Sequence, residues 1–105
     1  MVVTFGEKYL EELYVNGRCS DKKHRFQPHV VKRYQQRVQQ LVAAPRAESL
    51  YQFGSLRFEA LRGDKKGLYS VRVNDQYRIE FSLAADDDSM LLTVCNIVEL
   101  SNHYD

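Results

Sequence analysis

The sequence predicts an α+β fold, and three observations carry that prediction. Residues 67–81 alternate between apolar and polar on both sides of Asn74-Asp75-Gln76, the pattern of a β-hairpin with its turn. Val30, Val31, Tyr34, Val38, Leu41 and Val42 recur at helical spacing between Pro28 and Pro45. The segments then run in the order strand, two helices and four strands joined by hairpin-length links, which predicts a mainly antiparallel, twisted sheet with the helices packed on it.

Val2-Val3-Thr4-Phe5 is short and β-branched and is followed by Gly6, so it reads as the first strand. Glu7 to Val15 carries Tyr9 or Leu10, then Leu13 and Tyr14, at helical spacing, with Asn16-Gly17 as a stop. Residues 18–27 are basic and polar without periodicity, the mark of a loop. Pro28 starts the second helix, where its missing N–H costs nothing, and Pro45 ends it. The other face of that helix carries Lys32, Arg33, Gln35, Gln36, Arg37, Gln39 and Gln40 and reads as solvated.

Ala47 to Phe53 fits a single helical turn closed by Gly54. Leu56 to Leu61 alternates like a strand, with Leu56, Phe58 and Ala60 on one side. Arg62 to Gly67 is a basic loop bounded by glycine. In the hairpin that follows, a three-residue loop at 74–76 makes paired residue numbers sum to 150. Val71 then faces Ile79 and Tyr69 faces Phe81, while Arg72 is set directly opposite Arg78 and Ser70 opposite Glu80. Opposed arginines repel, so a purpose other than folding is expected for them. Asp86-Asp87-Asp88 reads as a polar hairpin loop, and Met90 to Leu100 as a buried central strand.

At 105 residues the chain is read as one domain, 1–105, with an ordinary 44% hydrophobic and 28% charged content. No apolar run is long enough for a membrane helix and no signal-peptide core is evident, so a cytoplasmic protein with no membrane association is expected. The net charge of +1 hides segregation. Residues 18–37 carry seven Lys or Arg against Asp21, a net +6, and residues 57–78 carry six against Glu59, Asp64 and Asp75, a net +3. The last 27 residues are acidic, so a generic polyanion binder is excluded while two local basic surfaces are not.

Cys19 and Cys95 lie far apart and are expected to be reduced thiols. Cys19, His24 and His29 offer three possible metal ligands without a fourth nearby, so no metal site is expected. The glycines sit singly at turns, with neither a P-loop nor a nucleophile elbow, and no cofactor is expected. What remains is Arg57, Arg62, Lys65, Lys66, Arg72 and Arg78, with His103 and Tyr104 at the end of the last strand. These are either scattered surface charges or, gathered on a sheet face, a set of forks and cations suited to a phosphodiester.

The stretch Leu61-Arg62-Gly63 through Lys65-Lys66-Gly67-Leu68-Tyr69 to Asn74-Asp75-Gln76-Tyr77-Arg78-Ile79-Glu80-Phe81 resembles the central signature of HigB-like toxins in the RelE/ParE superfamily. Ile97 to Tyr104 resembles the closing strand and tail of that family, and the preceding pair of helices fits as well. The resemblance implies a RelE-like fold and a toxin that cuts messenger RNA in the ribosomal A site. It also implies a HigA-like helix-turn-helix antitoxin, with operator DNA contacted only through that partner. The reaction implied is metal-free attack of a ribose 2′-hydroxyl on the adjacent phosphate.

By position, Arg78 matches the arginine that contacts the scissile phosphate, Arg72 a strand position that is often basic, and Arg62, Lys65 and Lys66 the basic loop. Arginine does not lose its proton at neutral pH, so His103 is the first choice for proton transfer, with Tyr104 for stacking or acid support. Glu59 stands where the family often has a histidine, and Asn102-His103-Tyr104 replaces the family's Asp-Tyr-His order. Two rival readings share the scaffold: a ParE-like inhibitor of DNA gyrase, and a non-catalytic nucleic-acid-binding module that stacks bases on Tyr69 or Tyr104.

Overall fold

A computed structural model describes residues 1–85 and 91–102 of the chain. Its elements are β1 (Val2–Phe5), α1 (Lys8–Asn16), α2 (Pro28–Ala43), β2 (Glu59–Ala60), β3 (Tyr69–Arg72), β4 (Tyr77–Ala85) and β5 (Leu92–Asn102). Short 3-10 turns fill Lys22–His24, Ala47–Gln52, Gly54–Leu56 and Gly63–Lys65. The α+β class is borne out. The strands form one sheet in the order β1-β5-β4-β3-β2, with helices on one face.

Both helices start and stop as their sequence signals require. Gly17 adopts φ 75° and its N–H returns to the Leu13 carbonyl at 3.1 Å, closing α1. Pro28 stands in the first turn of α2. The buried stripe of α2 and Tyr9, Leu10 and Leu13 of α1 meet Val71, Val73, Ile79, Phe81, Cys95 and Ile97 of the sheet. The Tyr34 hydroxyl donates to the Leu10 carbonyl at 2.7 Å, fixing one helix on the other without an unsatisfied buried polar group.

The hairpin register is as expected: Tyr69 pairs with Phe81, Ser70 with Glu80, Val71 with Ile79 and Arg72 with Arg78. Asn74 holds the turn, its Oδ1 accepting the N–H groups of Gln76 and Tyr77 at 2.9 and 2.8 Å. No helix among the described residues is long and apolar enough to cross a membrane.

Several expectations need correction. The strand read at 56–61 shrinks to Glu59–Ala60, because Arg57 takes a left-handed φ of 46° and ψ of 49° that breaks extended backbone after the turn at Leu56. Leu56 is therefore buried while Ala60 is exposed, and their expected shared side is lost. The 18–27 loop contains the turn Lys22–His24, capped by the Asp21 side chain on the Lys23 N–H. β1 joins the sheet parallel to β5, with Val2 beside Val94 and Phe5 beside Ile97, so β5 separates it from the antiparallel part. β5 begins and ends later than the expected 90–100, and the register jumps between Glu80/Glu99 and Phe81/Ile97, leaving Val98 as the extra residue of a bulge. Arg37, read as part of a solvated helix face, is buried. The polar turn at Asp86-Asp87-Asp88 and the tail residues His103 and Tyr104 lie outside the described residues.

Candidate functional site

The alternation that sends Val71, Ile79 and Phe81 to the helices sends Ser70, Arg72, Arg78 and Glu80 to the opposite face of the hairpin. β2 extends this face, since Glu59 pairs with Ser70. On the other side, Ser101 of β5 pairs with Arg78. The result is a row of Arg72, Arg78 and Ser101 beside a row of Glu59, Ser70 and Glu80.

Glu80 organises the face. Its side chain is 1% exposed, and its oxygens accept from Lys65 Nζ at 3.0 and 2.8 Å and from Arg78 Nε at 2.9 Å. Burial pushes this carboxyl up, but the hydrogen bonds and charges of Lys65 and Arg78 outweigh that and hold it below the usual carboxylate range. Glu80 is thus an anion that aims Arg78 across the sheet and draws Lys65 inward. Lys65 can reach it because the 3-10 turn Gly63–Lys65 folds the basic loop back, with Gly63 and Gly67 at φ 65° and 96°.

Arg72 has its own carboxylate: its Nη2 donates to Asp75 in the hairpin turn. Each of the opposed arginines is therefore matched to an acid, which offsets their mutual repulsion. Behind Arg72, the buried Arg37 donates from Nε to the Arg72 carbonyl at 2.8 Å and from Nη1 to Gln40 Oε1 at 2.8 Å. Burial, then the nearby charges of Arg33 and Arg72, pull the Arg37 guanidinium below the usual arginine range.

A cleft of about 140 Å³ opens on this face, lined by Arg57, Glu59, Ser70, Arg72, Asn74, Tyr77 and Arg78. Three guanidinium groups around one exposed carboxylate have the chemistry to hold a phosphate and to accept a proton beside it. Of the residues singled out from sequence, Arg57, Glu59, Arg72 and Arg78 meet here. Arg62 does not; it lines an adjoining groove of about 500 Å³ with Tyr51, Phe58, Glu59, Ala60 and Leu61. Lys65 turns to Glu80, and Lys66 is exposed outside the cleft lining.

Sequence reasoning missed Glu80, Tyr77, Asn74 and Arg37 as parts of this arrangement. The signal for Glu80 was present in the register, which set it opposite Ser70 and two residues beyond Arg78 on one face. The Cys19, His24 and His29 spacing dissolves into separate roles. Cys19 Sγ donates to the His24 carbonyl at 3.2 Å, and the His24 ring bonds Asp21 at 2.8 Å and stacks on Tyr9 with centroids 3.7 Å apart. His29 is exposed at the start of α2.

Residues 3–94 match the family model described as a RelE-like toxin of type II toxin-antitoxin system HigB. Toxin HigB-1 of Vibrio cholerae is 38% identical over 82 residues, which is 77% of this chain and 82% of that protein. The chain belongs to the HigB-like toxin family. It is accordingly a toxin of the type II toxin–antitoxin class, on an α+β fold of the RelE type.

Solved structures agree on the fold of this HigB-like toxin. The YoeB/ParE toxin from Agrobacterium tumefaciens superposes with a TM-score of 0.60 at 16% identity, covering 99% of this chain and 100% of that one. A chain of the heterotetrameric YoeB-YefM toxin-antitoxin complex from Staphylococcus aureus gives 0.52 at 21% identity, over 99% of this chain and 98% of that one.

Proposed function

We propose that this HigB-like toxin is a ribosome-dependent messenger RNA endonuclease that uses no metal. The observation that carries the reading is the opposed Arg72/Arg78 pair, directed by Asp75 and Glu80 into a cleft that also holds Arg57 and Glu59. Arg72 and Arg78 grip the non-bridging oxygens of the scissile phosphate and stabilise the charge that grows as phosphorus becomes pentacoordinate. The 2′-oxygen bonds to phosphorus while its proton leaves, and the bond from phosphorus to the 5′-oxygen breaks as that oxygen gains a proton. The products are a 2′,3′-cyclic phosphate and a 5′-hydroxyl.

Arginine cannot take the proton. Glu59 is the cleft carboxylate not committed to Lys65 or Arg78, and it serves as acceptor for the 2′-hydroxyl. His103 supplies the proton to the leaving oxygen, with Tyr104 stacking on a base or supporting that acid. Arg57 and Arg62 hold flanking phosphates, and Lys66 adds charge at the rim. Lys65 acts through Glu80. The toxin works in the cytoplasm on messenger RNA in the ribosomal A site, and a HigA-like antitoxin, itself the reader of operator DNA, neutralises it.

The test incubates the protein with programmed ribosomes, free RNA and DNA gyrase in parallel, beside Arg78→Ala. Cleavage on ribosomes that Arg78→Ala abolishes, with its melting temperature retained, is the expected result. Gyrase inhibition with intact RNA overturns the nuclease reading in favour of a ParE-like inhibitor, and RNA binding without cleavage in any arm reduces the site to a binding module.

A further inference from the structure

The groove beyond Glu59 is walled on one side by aromatic rings that rise from the core to the surface. Phe58 lies parallel to buried Phe81, with centroids 6.1 Å apart and planes at 6°, and stacks on Tyr69 at 5.7 Å. Tyr51 sits edge-on against Phe58 at 4.7 Å and 62°, yet is 66% exposed. Its ring is thus braced from beneath while most of its surface faces solvent. Arg62 lines the same groove. A tyrosine ring and a guanidinium are the side-chain planes on which unpaired bases stack.

Position gives this groove its meaning. Glu59, on the edge strand β2, is a wall of both the groove and the arginine cleft, so the two meet at that edge of the sheet. A single strand whose scissile phosphate lies between Arg72 and Arg78 would turn over the β2 edge at Glu59 to carry its next nucleotide into the groove. We infer that Tyr51, Phe58 and Arg62 form a subsite that stacks the RNA base next to the cleaved phosphate, with Tyr51 as the platform. The inference rests on the nuclease reading above and adds the substrate position that this part of the surface holds.

The experiment uses programmed ribosomes whose A-site messenger carries 2-aminopurine beside a 2′-deoxy position that blocks cleavage. Wild-type toxin is expected to quench the fluorophore on one side of the block, and Tyr51→Ala and Tyr51→Leu to lose that quenching. On cleavable messenger, Tyr51→Ala is expected to lower kcat/KM about tenfold, chiefly through KM, with Tyr51→Phe recovering at least half of the wild-type value. Because Tyr51 is exposed, melting temperatures within two or three degrees are expected throughout. Wild-type cleavage with unchanged quenching and kinetics in Tyr51→Ala overturns the subsite and leaves the nuclease reading standing. Loss of antitoxin neutralisation in Tyr51→Ala with cleavage intact also overturns it, making the groove a protein-docking surface. A wild-type protein that cleaves no messenger overturns both readings together.

Discussion

Arg37 of α2 donates from Nε to the backbone carbonyl of Arg72, the last residue of β3, at 2.8 Å. Arg37, a residue only 7% exposed, thereby pins the strand end that presents Arg72 to the cleft. The acceptors it reaches are neutral oxygens, the Arg72 carbonyl and Gln40 Oε1. Arg37→Met is expected to cost about 1–3 kcal/mol, because the Arg72 carbonyl and Gln40 lose their donor in a partly buried place. Urea unfolding checks this as a lower midpoint at unchanged slope. Arg37→Lys is expected to recover little, since one ammonium cannot reproduce the two directions of the fork.

Glu80→Gln is expected to weaken both stability and cleavage. Removing the buried anion replaces a charged acceptor shared by Lys65 and Arg78 with a neutral one, a loss of about 1–3 kcal/mol once their partial exposure is allowed for. Arg78 also loses the carboxylate that directs it, so kcat is expected to fall by at least tenfold. A full-activity variant would mean that the Arg78 geometry is set elsewhere.

The same carboxylate gives the protein an acid limb. Its folded pKa lies below the unfolded value, so its contribution is complete above the unfolded pKa and is lost as pH falls through the lower folded one. Wild-type stability is therefore expected to drop below about pH 4.5. The Glu80→Gln variant is expected to show a shallower drop in the same window, read as denaturation midpoints from pH 6 to pH 3.

Arg57→Gly separates strain from charge. Arg57 holds φ 46° beside the cleft, a conformation that glycine adopts without a Cβ penalty. The variant is expected to melt higher, by up to about 1 kcal/mol of stability. Its cleavage rate is expected to fall, because one of the three guanidinium groups of the cleft is gone.

Asn74→Ala removes the acceptor for the Gln76 and Tyr77 N–H groups. About 1 kcal/mol of lost stability is expected. Replacement by Asp, which keeps the acceptor, is expected to restore most of it. Thermal unfolding of the three proteins decides the matter.

How much of this was legible in the sequence depends on the range of the interaction. The Arg72–Arg78 register was legible because alternation on two adjacent arms leaves only one pairing that puts Val71 and Ile79 together. The helix ends were legible because Gly17, Pro28 and Pro45 act within a turn of chain. The role of Glu80 was not, since a lone glutamate on a strand resembles a solvent-facing one until Lys65 is folded over it. Arg37 failed for a similar reason: helical periodicity cannot say that the end of β3 lies beneath one residue of the polar face. Nor could local pattern reveal that β1 runs parallel to β5, because that pairing joins opposite ends of the chain.

That pairing also sets an order in time. β5 follows every other strand in the chain, yet it stands between β1 and β4 and holds both. Until residues 92–102 emerge from a translating ribosome, β1 has no strand to pair with among the described residues, and β4, β3 and the two-residue β2 make only a small ribbon. The arginine row then lacks the strand that carries Ser101 beside Arg78. Assembly of the cleft is thus deferred to the last stage of synthesis of this sheet, after residues 92–102 have been made.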